Sequence, residues 1–266
     1  MTHIHTLKAL AAAALALSLA ACGSSGSDPA APPTDPTTPT TPTDPSTPTP
    51  DPSLKPATAV LQGIWQSPAG AASALSAAVL PDGKLWSIIT SDGVTRLVKA
   101  SLSAQTANFG GTGKSYTLGA GAASSNVSAT ATTSVIEKTS LNGTLTVGSG
   151  QPEAFALAYQ ARYDTPAVLS DYAGAWQATL GPGVVNWTIT STGVLSGTRT
   201  TGCTYSGRLG LRPEQKAVVD VSVAEDCAGT VVQLGGVAVF NADKTRLSML
   251  MTTANEAIGV AVNLAR

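Results

Sequence analysis

Histidine is nearly absent from this 266-residue chain, in which His3 and His5 are the two copies. No histidine follows them, which excludes Ser-His-Asp and Cys-His catalytic arrangements from the rest of the chain. The commonest ligand of zinc and copper sites is missing for the same reason. We therefore expect a protein that is not an enzyme and that has no cofactor and no metal site.

Charged residues are also scarce, at 12% of the chain, and the net charge is −1 at pH 7. The sequence has no basic patch that would attract nucleic acid, so we expect no nucleic-acid partner. Residues 110–115 read GGTGKS, but Asn108 stands where a phosphate-binding loop needs its first glycine. We interpret this segment as a turn between strands.

Carboxylates are the catalytic groups that remain, because two of them across a cleft suffice for glycoside hydrolysis. The candidates are Asp164, Asp171, Asp220, Glu225 and Asp226. Glu225 and Asp226 are adjacent, so in a strand they would point to opposite faces. We interpret all five as solvated strand-end or turn residues. No D-x-D-x-D-G spacing supports a calcium loop either.

Long apolar runs are missing beyond the N-terminus, where residues 9–21 are small or apolar apart from Ser18 and follow Lys8. This run is shorter than the ~20 residues that cross a bilayer, but it has the length of a secretory signal core. It ends in Leu19-Ala20-Ala21-Cys22, an aliphatic residue, two small residues and a cysteine. The pattern resembles the lipobox of bacterial lipoproteins.

The resemblance implies that residues 1–21 are a cleaved signal peptide, whose removal would take both histidines away. It also implies that Cys22 carries diacylglycerol on its thiol and an acyl chain such as palmitate on its amine. Several acyl chains hold a protein to a membrane far more firmly than one. Gly23 stands where an aspartate would, in the enterobacterial sorting rule, favour the inner membrane. We therefore expect a lipid-anchored protein of the cell envelope, at the outer membrane.

Residues 22–57 comprise this cysteine and a segment rich in Pro, Thr, Ser, Ala and Asp. Prolines recur at every third position from Pro33 to Pro48, which matches the three residues per turn of polyproline II. The segment has too few large apolar residues to fold, so we predict a disordered tether. It is either a stalk that clears a crowded surface layer or a linker of unselected length.

Beyond the tether, apolar residues alternate with polar ones in short segments bounded by turn residues. Residues 155–163, FALAYQARY, predict one such strand, and residues 258–265, IGVAVNLA, another. Pro81-Asp82-Gly83 and Asn142-Gly143 are predicted turns. No segment of this part sustains a helical period. The pattern predicts an all-β fold built of antiparallel hairpins.

The chain also repeats itself. Gly63-Ile64-Trp65-Gln66 is echoed by Gly174-Ala175-Trp176-Gln177, and Gly83 has a counterpart in Gly193. Each half offers about eight strand candidates, the number at which side chains just fill a closed barrel. We predict a first β unit over residues 58–166 and a second over residues 167–266. They form either two tandem barrels or a barrel with a more open sheet.

With Cys22 assigned to lipid, Cys203 and Cys227 are an even pair in an exported, oxidising setting. They flank a predicted hairpin whose turn lies near Arg212-Pro213-Glu214-Gln215, so they are nearly opposite each other. We predict a structural disulfide. A redox-active or metal-binding pair is the alternative, but the sequence provides no further soft ligand nearby.

The order of lipidated cysteine, tether and β units resembles in architecture the surface lipoproteins of Gram-negative bacteria, such as the transferrin-binding protein B and factor H-binding protein families. No binding residue of either family can be placed on this chain. We therefore predict a binding role or a structural role in the envelope. In the binding role, the partner is a protein or a small apolar ligand. The alternatives are a lipocalin-like carrier and, less favoured, a carboxylate glycosidase.

Overall fold

A computed structural model describes residues 57–71, 73–106, 108–119 and 126–266. The predicted signal peptide, the lipidation site at Cys22 and nearly all of the predicted tether lie outside these residues. Within them, no helix has the length and apolar character that crossing a membrane requires.

Eight strands form a first closed barrel in which each strand pairs with its neighbours in the sequence. Closure comes from an antiparallel pairing of the first strand with the eighth, with Trp65 opposite Tyr159. The strands are β1 (Gly63–Gln66), β2 (Ala74–Val79), β3 (Lys84–Ser91), β4 (Val94–Ala104), β5 (Phe109–Leu118), β6 (Asn126–Ile136), β7 (Ser140–Val147) and β8 (Glu153–Tyr159). Closing the sheet leaves no exposed edge.

Eight further strands form a second closed barrel of the same kind, so the predicted pair of barrels is confirmed and the more open sheet is not found. The last strand pairs with the first of this set, with Ala265 opposite Gln177. The strands are β9 (Gly174–Leu180), β10 (Gly183–Ile189), β11 (Val194–Arg199), β12 (Thr204–Leu211), β13 (Val218–Cys227), β14 (Thr230–Phe240), β15 (Arg246–Thr252) and β16 (Gly259–Ala265).

The repeated Gly-x-Trp-Gln segment corresponds to the same structure in both barrels, a short helix and a tryptophan that together cover one end. A short 3₁₀ helix precedes each barrel, at Ala57–Leu61 and at Leu169–Tyr172. The indole N–H of Trp65 donates to the Leu61 carbonyl at 2.9 Å, and that of Trp176 donates to the Tyr172 carbonyl at 2.8 Å. The repeated tryptophan therefore fills the interior and also holds the helix across the barrel end.

Both interiors are packed with side chains. Trp65 and Leu141 are fully buried in the first barrel, and Trp176, Val219 and Met249 are buried in the second. Inward side chains alternate with outward ones along each strand, as the pleat requires.

The two barrels also pack against each other through apolar residues that point outward from their strands. A third buried cluster joins them; it consists of Ile64, Ala78, Leu80, Trp86, Leu97, Tyr116, Tyr163, Val218, Val237 and Leu250. Tyr116 donates to the Glu256 carbonyl at 3.0 Å, and the Lys99 ammonium lies 2.7 Å from a Glu256 carboxylate oxygen. Strands β1 to β5 and β13 to β15 thus bury residues of both faces.

The disulfide predicted from the sequence is present. Cys203 and Cys227 are bonded, with their Cα atoms 4.3 Å apart, across the antiparallel pair β12 and β13. The hairpin turn between these strands includes Gln215, which has a φ of 48°. The predicted hairpin therefore has its turn at the expected place.

Three local predictions are wrong. Residues 110–115 are not a turn but the centre of β5, where Gly111 and Gly113 allow close approach to the β4 backbone. Asn142-Gly143 lies inside β7, and the turn before that strand contains Lys138 at a φ of 52°. The strand predicted over residues 155–163 ends at Tyr159, because a 3₁₀ helix begins at Ala161 and turns the chain toward the second barrel.

Candidate functional site

A cavity of about 510 Å³ opens at the end of the second barrel that lies opposite its 3₁₀ helix. The turn from β9 to β10 forms one side, the start of β16 forms another, and the end of β5 in the first barrel adds a third. The lining residues are Leu118, Gly119, Thr179, Leu180, Gly181, Arg199, Glu225, Val232, Leu234, Ile258, Gly259, Val260 and Ala261. We call this space the mouth cavity.

Most of the mouth cavity wall is apolar, and its charged side chains are Arg199 and Glu225. Both occupy inward positions of their strands, in phase with buried Leu195 on β11 and buried Val223 on β13. The guanidinium Nη1 of Arg199 lies 3.9 Å from Oε1 of Glu225. Side-chain exposure is 16% for Arg199 and 25% for Glu225, so this pair is partly shielded from water.

Tyr205 does not line the mouth cavity, but it supports the polar end through Glu225. Its hydroxyl donates to Oε1 of Glu225 at 2.5 Å, and its ring meets that of Trp187 edge to face at 5.2 Å. Burial raises the pKa of Tyr205, and the hydrogen bond with Glu225 and the negative charge of that group raise it further. The phenol therefore stays protonated and acts as a donor.

Hydrogen-bond donors outnumber acceptors in this cluster. One Arg199 nitrogen donates to the Leu180 carbonyl. The Nε of Arg199 is buried and has no hydrogen-bond partner among the described residues. A buried donor without an acceptor costs about 1–3 kcal/mol. The chemistry of the cluster therefore favours a ligand whose polar group accepts hydrogen bonds.

The disulfide lies beside this polar end. The sulfurs of Cys203 and Cys227 and a carboxylate oxygen of Glu225 lie within 4.8 Å of one another, a proximity that resembles a metal site. Because the sulfurs are bonded to each other, neither can act as a thiolate ligand. In this state the disulfide fixes the ends of β12 and β13, which carry Tyr205 and Glu225.

The carboxylates considered from the sequence are distributed over separate contacts. Asp164 pairs with Lys138 and Lys216, each at 2.9 Å. Partners of the others are Lys244 for Asp171, Arg212 for Asp220 and the Gly229 amide for Asp226. Five cavities in the part of the chain that the structure describes are each lined by at most one acidic residue. The structure therefore does not bring two of these carboxylates together across a cleft.

Sequence reasoning missed Arg199 and Tyr205 and treated Glu225 as a solvated residue. A signal was present, because Arg199 continues the inward period of Leu195 and Gly197. A charged residue at an inward position near a strand end indicates a polar group at a barrel mouth. Cys22, the predicted lipidation site, lies outside the described residues.

Comparisons of the chain with protein families, with curated proteins and with solved structures find no match.

Proposed function

We propose that this chain is a lipid-anchored binding protein of the bacterial cell envelope, without catalytic activity, and that its ligand occupies the mouth cavity. The ligand is a small amphipathic molecule with an apolar body and a hydrogen-bond-accepting head group. The observation that carries this proposal is the combination of apolar walls with one polar end at Arg199 and Glu225, the latter held by Tyr205.

Size and composition support a small-molecule ligand. Ligand pockets in proteins span about 300–1,000 Å³ and combine mostly apolar walls with a few oriented polar groups. The mouth cavity, at about 510 Å³, is of this size. An apolar body would contact Val232, Ile258 and Val260, and a carbonyl or acidic head group would accept hydrogen bonds from Arg199.

A lipocalin-like carrier would hold its ligand inside the barrel. The tryptophans and aliphatic side chains that fill both interiors leave that mode less favoured than binding at the mouth. A two-carboxylate glycosidase is less favoured too, since the mouth cavity has Glu225 as its one acidic lining residue.

Binding at the mouth is tested with 1-anilinonaphthalene-8-sulfonate, an amphipathic anion whose fluorescence rises in apolar surroundings. We expect saturable binding to the full chain, and at least a tenfold loss of affinity in Val232→Glu, which places a charge on the apolar wall. Arg199→Met, which keeps the aliphatic stem, should weaken binding by a similar factor.

The matched control is Val231→Glu, because Val231 is the neighbouring residue on β14 but points outward and is 54% exposed. It should bind the dye like the unmodified chain. Equal loss in both valine variants, or no saturable binding to the unmodified chain, would refute the assignment of the cavity.

The anchor is tested separately with Cys22→Ala. Lipidation requires the thiol, so we expect this variant to leave the membrane fraction of the producing cells. Unchanged membrane fractionation of the variant would contradict the lipid anchor and would leave the dye experiment unaffected.

A further inference from the structure

Arg162 is a cation that forms no ion pair with any of the described residues. It lies in the 3₁₀ helix Ala161–Asp164, which begins directly after the first barrel. The side chain is half-buried, and its Nε is fully buried with no hydrogen-bond partner among the described residues. Burial lowers the pKa of this guanidinium, and no neighbouring acid opposes that effect.

Two acidic residues close to Arg162, in sequence or on the same cavity, are already paired with other cations. Asp164, two residues along the same helix, accepts hydrogen bonds from two lysines and from Tyr159. Asp171 lies with Arg162 on a small cavity of about 100 Å³, but its carboxylate is 2.6 Å from the Lys244 ammonium. A half-buried charge left unpaired in this way destabilises the fold unless something else neutralises it.

Arg162 also borders a second cavity of about 270 Å³, which is lined by both barrels. We call it the inter-barrel cleft. Its polar side chains are uncharged amides and hydroxyls apart from the guanidinium itself; they are Gln66, Ser76, Asn241, Ser248 and Asn263. Apolar residues such as Ile64 and Leu250 form its base. The cleft thus combines one positive charge, no acid and several neutral hydrogen-bonding groups.

We propose that the inter-barrel cleft binds a small organic carboxylate that bears hydroxyl or amide groups, with Arg162 as its counter-ion. A guanidinium has a planar fork of donors that matches a carboxylate in two parallel hydrogen bonds. Gln66, Ser76 and the amide nitrogen of Asn263 can bond the neutral substituents of such a molecule, whereas both ends of the Asn241 amide are already bonded within its own turn. Both barrels contribute these groups, so an occupied cleft would bridge them.

The site is independent of the mouth cavity, because the two share no lining residue. The cleft also differs from the mouth cavity in chemistry. The mouth cavity pairs its arginine with Glu225, whereas the cleft has no acidic lining residue. A strongly anionic small molecule is therefore the better match for the cleft.

The test follows the Nε–H resonance of Arg162 by ¹H–¹⁵N NMR in the full chain, with sodium lactate as the probe. We expect a saturable shift of this resonance at concentrations up to about 100 mM, where even a millimolar site is filled. Lactamide, the neutral analogue, should produce no saturable shift. Inorganic phosphate provides a second anion, and a response to phosphate but not to lactate would overturn the carboxylate assignment.

Arg162→Gln should weaken lactate binding by about tenfold or more, measured by the shift of neighbouring amide resonances, as expected when a hydrogen bond to a charged group is lost. Arg208→Gln removes an exposed arginine of the second barrel and is the matched control. No saturable response to lactate in the unmodified chain, or equal binding by both variants, would overturn the proposal. Dye binding at the mouth cavity should be the same in Arg162→Gln and in the unmodified chain.

Discussion

Opening the Cys203–Cys227 disulfide should lower the free energy of unfolding by about 3 kcal/mol. The two cysteines are 24 residues apart in the sequence. In the chain-entropy description, a crosslink closing a loop of this size removes about 11–12 cal/mol/K from the unfolded state, which is ~3.4 kcal/mol at 25 °C. That is a large share of the ~5–15 kcal/mol that stabilises a typical folded domain.

The assay is urea unfolding of the full chain with and without a reductant that opens the bond. With a slope of about 3 kcal/mol/M, the loss corresponds to a midpoint lower by roughly 1 M. Tryptophan fluorescence follows both barrels, because Trp65 and Trp86 lie in the first and Trp176 and Trp187 in the second. Far-ultraviolet circular dichroism of the strands provides a second signal, and agreement between the two would justify a single free energy.

The double variant Cys203→Ala, Cys227→Ala is the control. Its midpoint should match that of the reduced, unmodified chain, and reductant should have no further effect on it. An unmodified chain whose midpoint is the same with and without reductant would refute the reasoning, because the hairpin would then be held as firmly by its strand pairing alone.

Three further outcomes are expected. Asp164→Asn should lower the free energy of unfolding by about 1 kcal/mol at pH 7, allowing for screening of its 35% exposed side chain. Because neighbouring lysines lower the pKa of Asp164 to about 2, this stabilisation is present above pH ~4 and is lost as the pH falls through about 2. Unfolding of both proteins across an acid titration measures the effect. Trp176→Phe should lower the free energy of unfolding in urea by about 1–3 kcal/mol, since the buried Tyr172 carbonyl loses its hydrogen-bond donor. An unchanged unfolding midpoint would contradict this. Gly193→Ala should lower the free energy of unfolding by about 1–3 kcal/mol, measured by thermal unfolding. Gly193 has a φ of 83°, and an added Cβ would lie 2.6 Å from the Leu209 carbonyl oxygen. A variant as stable as the unmodified chain would contradict this.

The candidate site was only partly predictable. The alternation of β11 places Arg199 on the inward face from the sequence alone. Arg199 lies beside Glu225 because β9 to β16 close into a barrel. The closed barrel brings together two residues that are far apart in the sequence. Arg162 had no sequence signal, since its burial arises only because the chain turns from one barrel toward the other.

Residues 110–115 show how a local pattern can mislead. Glycine-rich segments usually mark turns, because glycine adopts conformations closed to other residues. Here the glycines lie in a central strand, where their missing side chains let β4 and β5 approach closely. Only the neighbouring strand reveals that second use of glycine.

The sequence by itself determined the all-β class, the repeat, the hairpin between the cysteines and their pairing. Each follows from local chemistry, because the period of two along a strand and the residues of a turn are set over a few positions. Tertiary structure decided that both sheets close and that apolar residues such as Trp86 face the other barrel rather than an interior. It also decided where the mouth cavity and the inter-barrel cleft lie. Barrel closure, barrel packing and the positions of the cavities all depend on pairing between segments distant in the sequence. The free energy of such pairing depends on both segments, so no single strand determines it.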